Sequence, residues 1–285
     1  MEPESRYVVS QRVKLHYVVW GEGDKPPLVL LHGGRDHARS WDRTAVALCD
    51  RYQVFAVDLR GHGDSDWALG GNYSIIDYGL DLHAVVGEIG RTPVTLVAHS
   101  LGGSIALQYA GTVPENVHAV VSIEGLGRLR TGSEHRPAHE RMREWLADMR
   151  DLAGREPRVY PTFEDAVARM REANSHLSPE LAHHLTVHGV REVEGGYIWK
   201  FDNHVRSHSP YEFNMEDARD IWNQIRAPLL FIQGAESWGK QEAADYSAFH
   251  NYRAETVEGA GHWVHHDRFD RFLELVESFL AEVDG

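Results

Sequence analysis

The stretch Val94–Val113 constrains the fold more than any other part of the chain. The apolar run Val94–His99 leads without a linker into Ser100-Leu101-Gly102-Gly103, and a helical pattern then continues to Val113. A strand that passes directly into a helix must turn sharply at the junction. Small residues two positions either side of Ser100, Ala98 and Gly102, let the backbone of such a turn pass close to its neighbours. The same alternation recurs nearby. Val13–Trp20, Pro27–His32, Gln53–Asp58 and Val117–Glu124 read as strands, and Ser74–Gly90 places apolar residues at helical spacing. Strands alternating with helices predict an α/β fold with a mostly parallel central sheet covered on both faces.

After Gly127 the pattern changes. Residues 128–225 are rich in charge and helix formers. Met142–Met149 and Phe163–Ala173 read as amphipathic helices separated by the breaker Tyr160-Pro161. Alternation resumes at Pro228–Gln233 and Ala254–Glu258 and ends in a helix over Phe269–Ala281. The expected organisation is a core of residues 1–127 and 226–285. A mainly helical cap, 128–225, would sit over the carboxyl edge of the sheet. A length of 285 residues suits one core with one inserted subdomain.

Charge and cysteine usage narrow the partners. Lys plus Arg total 29 against 43 Asp plus Glu, a formal net charge of −14, which would repel a phosphate backbone. Acidic residues interrupt the basic cluster between Arg136 and Arg150, so it reads as a solvated helix face. Cys49 is the only cysteine, so no internal disulfide can form. Met1–Tyr7 lacks the apolar core of a signal peptide, and no run approaches the ~20 apolar residues of a membrane span. The expectation is a cytoplasmic monomer or homodimer with neither nucleic-acid nor membrane partners.

The Ser100 turn would expose a hydroxyl at a helix N-terminus, where the helix dipole and free N–H groups favour negative charge. Three further motifs accompany it: His32-Gly33-Gly34, Asp58-Leu59-Arg60-Gly61-His62-Gly63-Asp64-Ser65, and Gly259-Ala260-Gly261-His262. Together they resemble the α/β-hydrolase superfamily, in its serine-hydrolase, esterase-like form with a helical cap. Alanine at 98 stands where that family usually has glycine. The resemblance implies Ser100 as nucleophile and His262 as general base, with an oxyanion hole of the Gly34 and Leu101 N–H groups. Residues 58–65 are expected to brace a loop.

The orienting acid departs from the commonest family pattern, which places aspartate three residues beyond Gly234; Ser237 stands there. Two glutamates remain. Glu124 closes an apolar strand, where a charge needs a partner, and some subfamilies take their acid from that position. Glu236 is the alternative. Serine at the elbow, instead of the aspartate of dehalogenases and epoxide hydrolases, implies an acyl-enzyme and a small-molecule ester or lactone substrate. No cofactor is expected.

No metal is expected either, because the cluster His262, His265, His266 has no carboxylate at ligand spacing. His265 and His266 are expected at the surface. Trp145, Tyr160, Tyr197, Trp199, Phe201, Tyr211 and Phe213 are candidates for pocket walls. A hydrolase of C–C bonds in dienone-type acids, or a non-catalytic small-molecule receptor, is the alternative.

Overall fold

All five residues of Pro27–Leu31 are buried, and their side chains divide by parity: Leu28 and Leu30 enter one apolar layer, Val29 and Leu31 the other. A strand covered on both faces needs exactly this kind of continuous apolar run. The computed structural model describes residues 2–70, 73–126, 137–207, 214–237 and 245–285. Its strands are β1 (Glu4–Ser10), β2 (Val13–Trp20), β3 (Pro27–Leu31), β4 (Gln53–Val57), β5 (Val94–His99), β6 (Val117–Ile123), β7 (Val190–Val193), β8 (Gly196–Trp199), β9 (Leu229–Gly234) and β10 (Tyr252–Val257). The α-helices are α1 (Asp42–Leu48), α2 (Ile75–Ile89), α3 (Leu101–Thr112), α4 (Ala138–Ala153), α5 (Phe163–Ala173), α6 (Pro179–Gly189), α7 (Met215–Trp222), α8 (Val264–Asp267) and α9 (Phe269–Asp284).

Eight strands form the central sheet in the order β1-β2-β4-β3-β5-β6-β9-β10. The pairs from β4 through β10 are parallel, while β1 and β2 add an antiparallel edge. One face packs against α2, α3 and α7 through Leu82, Val85, Ile105 and Trp222. The other packs against α1, α8 and α9 through Ala45, Val264, Val276 and Phe279.

The short helices α1, α6, α7 and α8 were not anticipated individually, and neither were three of the strands. The edge strand β1 is mostly exposed, and β7 and β8 form an antiparallel hairpin between α6 and α7. Between β6 and β9, side chains reach back to loops at the carboxyl ends of the strands. Lys200 Nζ donates to Asp64 Oδ1 at 2.8 Å, and the Tyr73 hydroxyl donates to Asp202 Oδ2 at 2.6 Å. Tyr160, Tyr197 and Trp199 pack into a small cluster of their own with Phe163 and Val190. That packing occupies three of the predicted wall aromatics in holding the segment together. Tyr211 and Phe213 lie outside the described residues.

The start of α3 is pressed against the sheet. A Cβ on Gly102 would lie 2.5 Å from the Leu31 carbonyl oxygen, and one on Gly103 would lie 2.6 Å from the Gly125 Cα. Both obstacles are backbone. Gly102→Ala is therefore expected to destabilise the fold by about 1–3 kcal/mol. Gly34→Ala, whose added carbon would meet only Leu101 Cδ2 at 4.0 Å, is expected to stay within about 0.5 kcal/mol. Urea midpoints of the two variants measure the contrast, and equal midpoints would contradict the close approach.

Candidate active site

Ser100 caps α3 with φ 51° and ψ −112°, a conformation that L side chains rarely adopt. Its N–H donates to the Ile123 carbonyl at 2.8 Å, which ties the turn to the end of β6. Glu124 follows β6 directly and also has positive φ, 55°. Arg35, in the loop after β3, has φ 65°. Three of the four non-glycine residues with positive φ among the described residues thus surround one place. Such conformations cost of order 1–3 kcal/mol each and persist where the surroundings over-determine them.

His262 Nε2 lies 3.0 Å from Ser100 Oγ, and His262 Nδ1 lies 3.4 Å from Glu124 Oε2. The two side chains are only 9% and 7% exposed. The Glu124 carboxylate is held from two further sides. Its Oε1 accepts the Gly234 N–H at 2.8 Å, and its Oε2 accepts the Ser237 hydroxyl at 2.9 Å. Ser237, where the common pattern has aspartate, therefore grips the carboxylate. Glu236 points elsewhere: its side chain is 56% exposed and faces His176 Nε2 at 3.6 Å. Of the two candidate acids, the fold brings Glu124 to His262.

The loop carrying His262 is fixed on both sides. His99 Nε2–H donates to the His262 carbonyl at 2.9 Å. Gly261 N–H donates to Asp267 Oδ2 at 2.8 Å, and Asn174 Nδ2 donates to Asp267 Oδ1 at 2.9 Å. Sequence reasoning missed His99, Ser237 and Asp267. Ser237 had a signal, its register after Gly234, whereas His99 meets His262 from 163 residues away and Asp267, close to Gly261 in the chain, takes its other partner Asn174 from 93 residues away. Leu101 is the first residue of α3, so its N–H falls among those left free of intrahelical partners. Gly34 lies beside it.

The expectation for His265 and His266 is corrected: they are 2% and 9% exposed. Helix α8 begins right after the His262 loop and turns this pair inward, where the His265 ring stacks on Trp41 at 4.5 Å.

Asp58 holds the loop after β4. Its Oδ2 receives His16 Nδ1 at 2.7 Å and the Asp64 N–H at 2.9 Å, and its Oδ1 accepts the Ala38 N–H at 2.6 Å. Despite burial, the His16 hydrogen bond leads the effects that hold its carboxyl below the usual range. Nearby, Leu59 N–H donates to His32 Nε2 at 3.1 Å, and His32 Nδ1–H donates to the Gly33 carbonyl at 2.7 Å. That arrangement requires a neutral His32 ring. Burial pushes His32 down to about 3 and His62 down to about 4.

Unfolded, both histidines titrate near 6.5. Their stabilisation is thus fully present above pH 6.5 and declines as the pH falls towards the folded values. Between pH 7.5 and 5 each is expected to withdraw roughly 1–2 kcal/mol, lowering Tm by about 5–10 °C. Calorimetry across that range reads the slope. A flat Tm would mean that the folded state protonates these rings.

Strand order, elbow and site geometry define a class, and the chain belongs to it: the profile described as alpha/beta hydrolase fold matches residues 26–269. A serine hydrolase-like protein of Danio rerio is 29% identical over 75% of this chain and 66% of its own length. The esterase Rv0045c of Mycobacterium tuberculosis is 28% identical over 92% of this chain and 84% of its own. Among solved structures, the hypothetical protein PA1622 of Pseudomonas aeruginosa superposes with a TM-score of 0.86 at 25% identity, covering 98% of this chain and 99% of that one. Such relatives support a hydrolase function for this chain. Among the described residues, no helix is long and apolar enough to cross a membrane.

Proposed function

We propose that the chain is a serine hydrolase that cleaves a carboxylic ester or lactone through an acyl-enzyme. Ser100 Oγ attacks the substrate carbonyl while His262 Nε2 takes its proton, and Glu124 steadies the imidazolium that results. The N–H groups of Leu101 and Gly34 stabilise the oxyanion. His262 then returns the proton to the departing alkoxide. In the second half it draws a proton from water, whose oxygen attacks the acyl carbon and releases the acid and free Ser100. The observation that carries this reading is the continuous line from Ser100 Oγ through His262 to Glu124, at 3.0 and 3.4 Å. A serine at the turn forms an ester that water attacks at carbonyl carbon, so the chemistry is acyl transfer and not alkyl displacement. Residues 128–225 are proposed to cap the site.

A fluorophosphonate probe tests the nucleophile. Intact mass should show one phosphonyl adduct per chain, peptide mapping should place it on Ser100, and p-nitrophenyl ester hydrolysis should fall in step with labelling. Labelling elsewhere, or ester turnover that survives complete labelling, would remove Ser100 from the mechanism. Full labelling with no turnover of any ester in an acyl-length series would favour the C–C hydrolase or receptor alternatives.

A further inference from the structure

Behind the His262 loop lies a second cluster whose polar atoms the fold leaves unanswered. His99 and His265, 1% and 2% exposed, meet the carboxylate of Asp36 there. One ligand atom from each of the three lies within 4.8 Å of the other two. Buried and without hydrogen-bond partners are Asp36 Oδ2, His99 Nδ1 and both ring nitrogens of His265. Folded proteins pair the large majority of their buried polar groups, so four such atoms gathered in one place are costly.

The tautomer of His99 is fixed by its other nitrogen. Because Nε2–H donates to the His262 carbonyl, Nδ1 carries a lone pair. An imidazole anchored through one nitrogen and bare at the other has the orientation of a metal ligand with its outer partner in place. Gly33 keeps that nitrogen uncovered, since a Cβ there would lie 2.6 Å from His99 Nδ1. Asp36 is oriented likewise: its Oδ1 accepts the His37 N–H at 2.9 Å, the Ser40 hydroxyl lies beside the carboxylate and favours its charged form, and Oδ2 makes no hydrogen bond of good geometry. His265 is held flat against Trp41, its ring 4.6 Å from that of His99.

We propose that Asp36, His99 and His265 form a binding site for one divalent transition-metal ion. Two imidazoles and one carboxylate suit zinc, cobalt or nickel, whereas magnesium and calcium prefer all-oxygen shells. The carboxylate that the histidine cluster lacks in sequence comes from the loop after β3, more than sixty residues before His99 and over two hundred before His265. The ion would pin that loop to the end of β5 and to α8. A second grouping, Asp42 with His184 and His188, is less suited. There Asp42 already receives Arg39 Nε at 2.8 and 2.9 Å, and His184 Nε2 donates to the Arg39 carbonyl at 3.1 Å.

Titrating the chelator-stripped full chain with Co²⁺ tests the site through its visible d–d absorption, which needs no catalytic activity. The expected result is saturation at one Co²⁺ per chain, reversed by Zn²⁺. Asp36→Asn and His265→Gln should each weaken binding at least about a hundredfold, and His184→Gln should leave it within about threefold. Asp36→Asn keeps an oxygen for the His37 N–H, and circular dichroism of the metal-free variants verifies that they fold. Metal should also raise the Tm of the native chain, as any ligand of the folded state does, but not that of Asp36→Asn. Absence of saturable Co²⁺ binding, or binding that survives both substitutions or is lost with His184→Gln, overturns the proposal.

Discussion

Ser100→Ala is expected to lower kcat for p-nitrophenyl ester hydrolysis by a factor on the order of 10⁵–10⁶, the scale of losing the nucleophile from a triad that works as a unit. The residue left behind would be the oxyanion donors and substrate binding, so a trace above the uncatalysed rate should remain. The companion variant Ser100→Gly separates chemistry from stability. At φ 51° and ψ −112° the native residue occupies a region that glycine enters at little steric cost. Ser100→Gly should therefore be as inactive as Ser100→Ala and yet more resistant to urea, by about 1 kcal/mol. A gain of stability on loss of activity is expected where strain is stored at the reacting group. If Ser100→Ala retains more than a few per cent of native turnover, the acyl-enzyme at this residue is excluded.

How much of this was legible in the chain follows from the range of each interaction. The turn at Ser100 could be read because strand, small residues and helix are contiguous, and the physics of the turn is local. Strand β3 could be read because burial on both faces demands an unbroken apolar run. Strand β1 escaped because an exposed edge strand has no such demand, and only Ser10 of its seven residues is buried. The hairpin β7–β8 escaped because four-residue strands are shorter than the window in which periodicity shows. His265 and His266 were misplaced for the opposite reason: a polar ring is buried here by Trp41, which lies more than two hundred residues away. Glu124 could be read as a candidate from its place at the end of an apolar strand. The Gly234 and Ser237 groups that hold its carboxylate come from 110 and 113 residues further on, so its advantage over Glu236 required the fold.

That advantage yields the sharpest test of the acid. Glu124→Gln changes almost no volume, and the amide oxygen can still accept the Gly234 N–H, so the variant should fold with a Tm near native. Its NH₂ group, however, would face His262 Nδ1 or the Ser237 hydroxyl oxygen. Turned towards the ring, it donates to Nδ1 and drives the proton to Nε2. The nitrogen 3.0 Å from Ser100 Oγ would then carry a hydrogen and could not accept the serine proton. Loss of the negative charge also leaves the imidazolium of the transition state uncompensated. Together these are expected to reduce kcat by on the order of 10³–10⁴, with KM little changed. Glu236→Gln, whose carboxylate faces His176 in a half-exposed position, should stay within about twofold of native, because exposed ion pairs contribute little. Ser237→Ala should fall between them, since it removes one grip on the Glu124 carboxylate but leaves its charge. The reverse order, an inactive Glu236→Gln beside a near-native Glu124→Gln, would transfer the orienting role to Glu236 and require the β9–α8 region to rearrange when substrate binds.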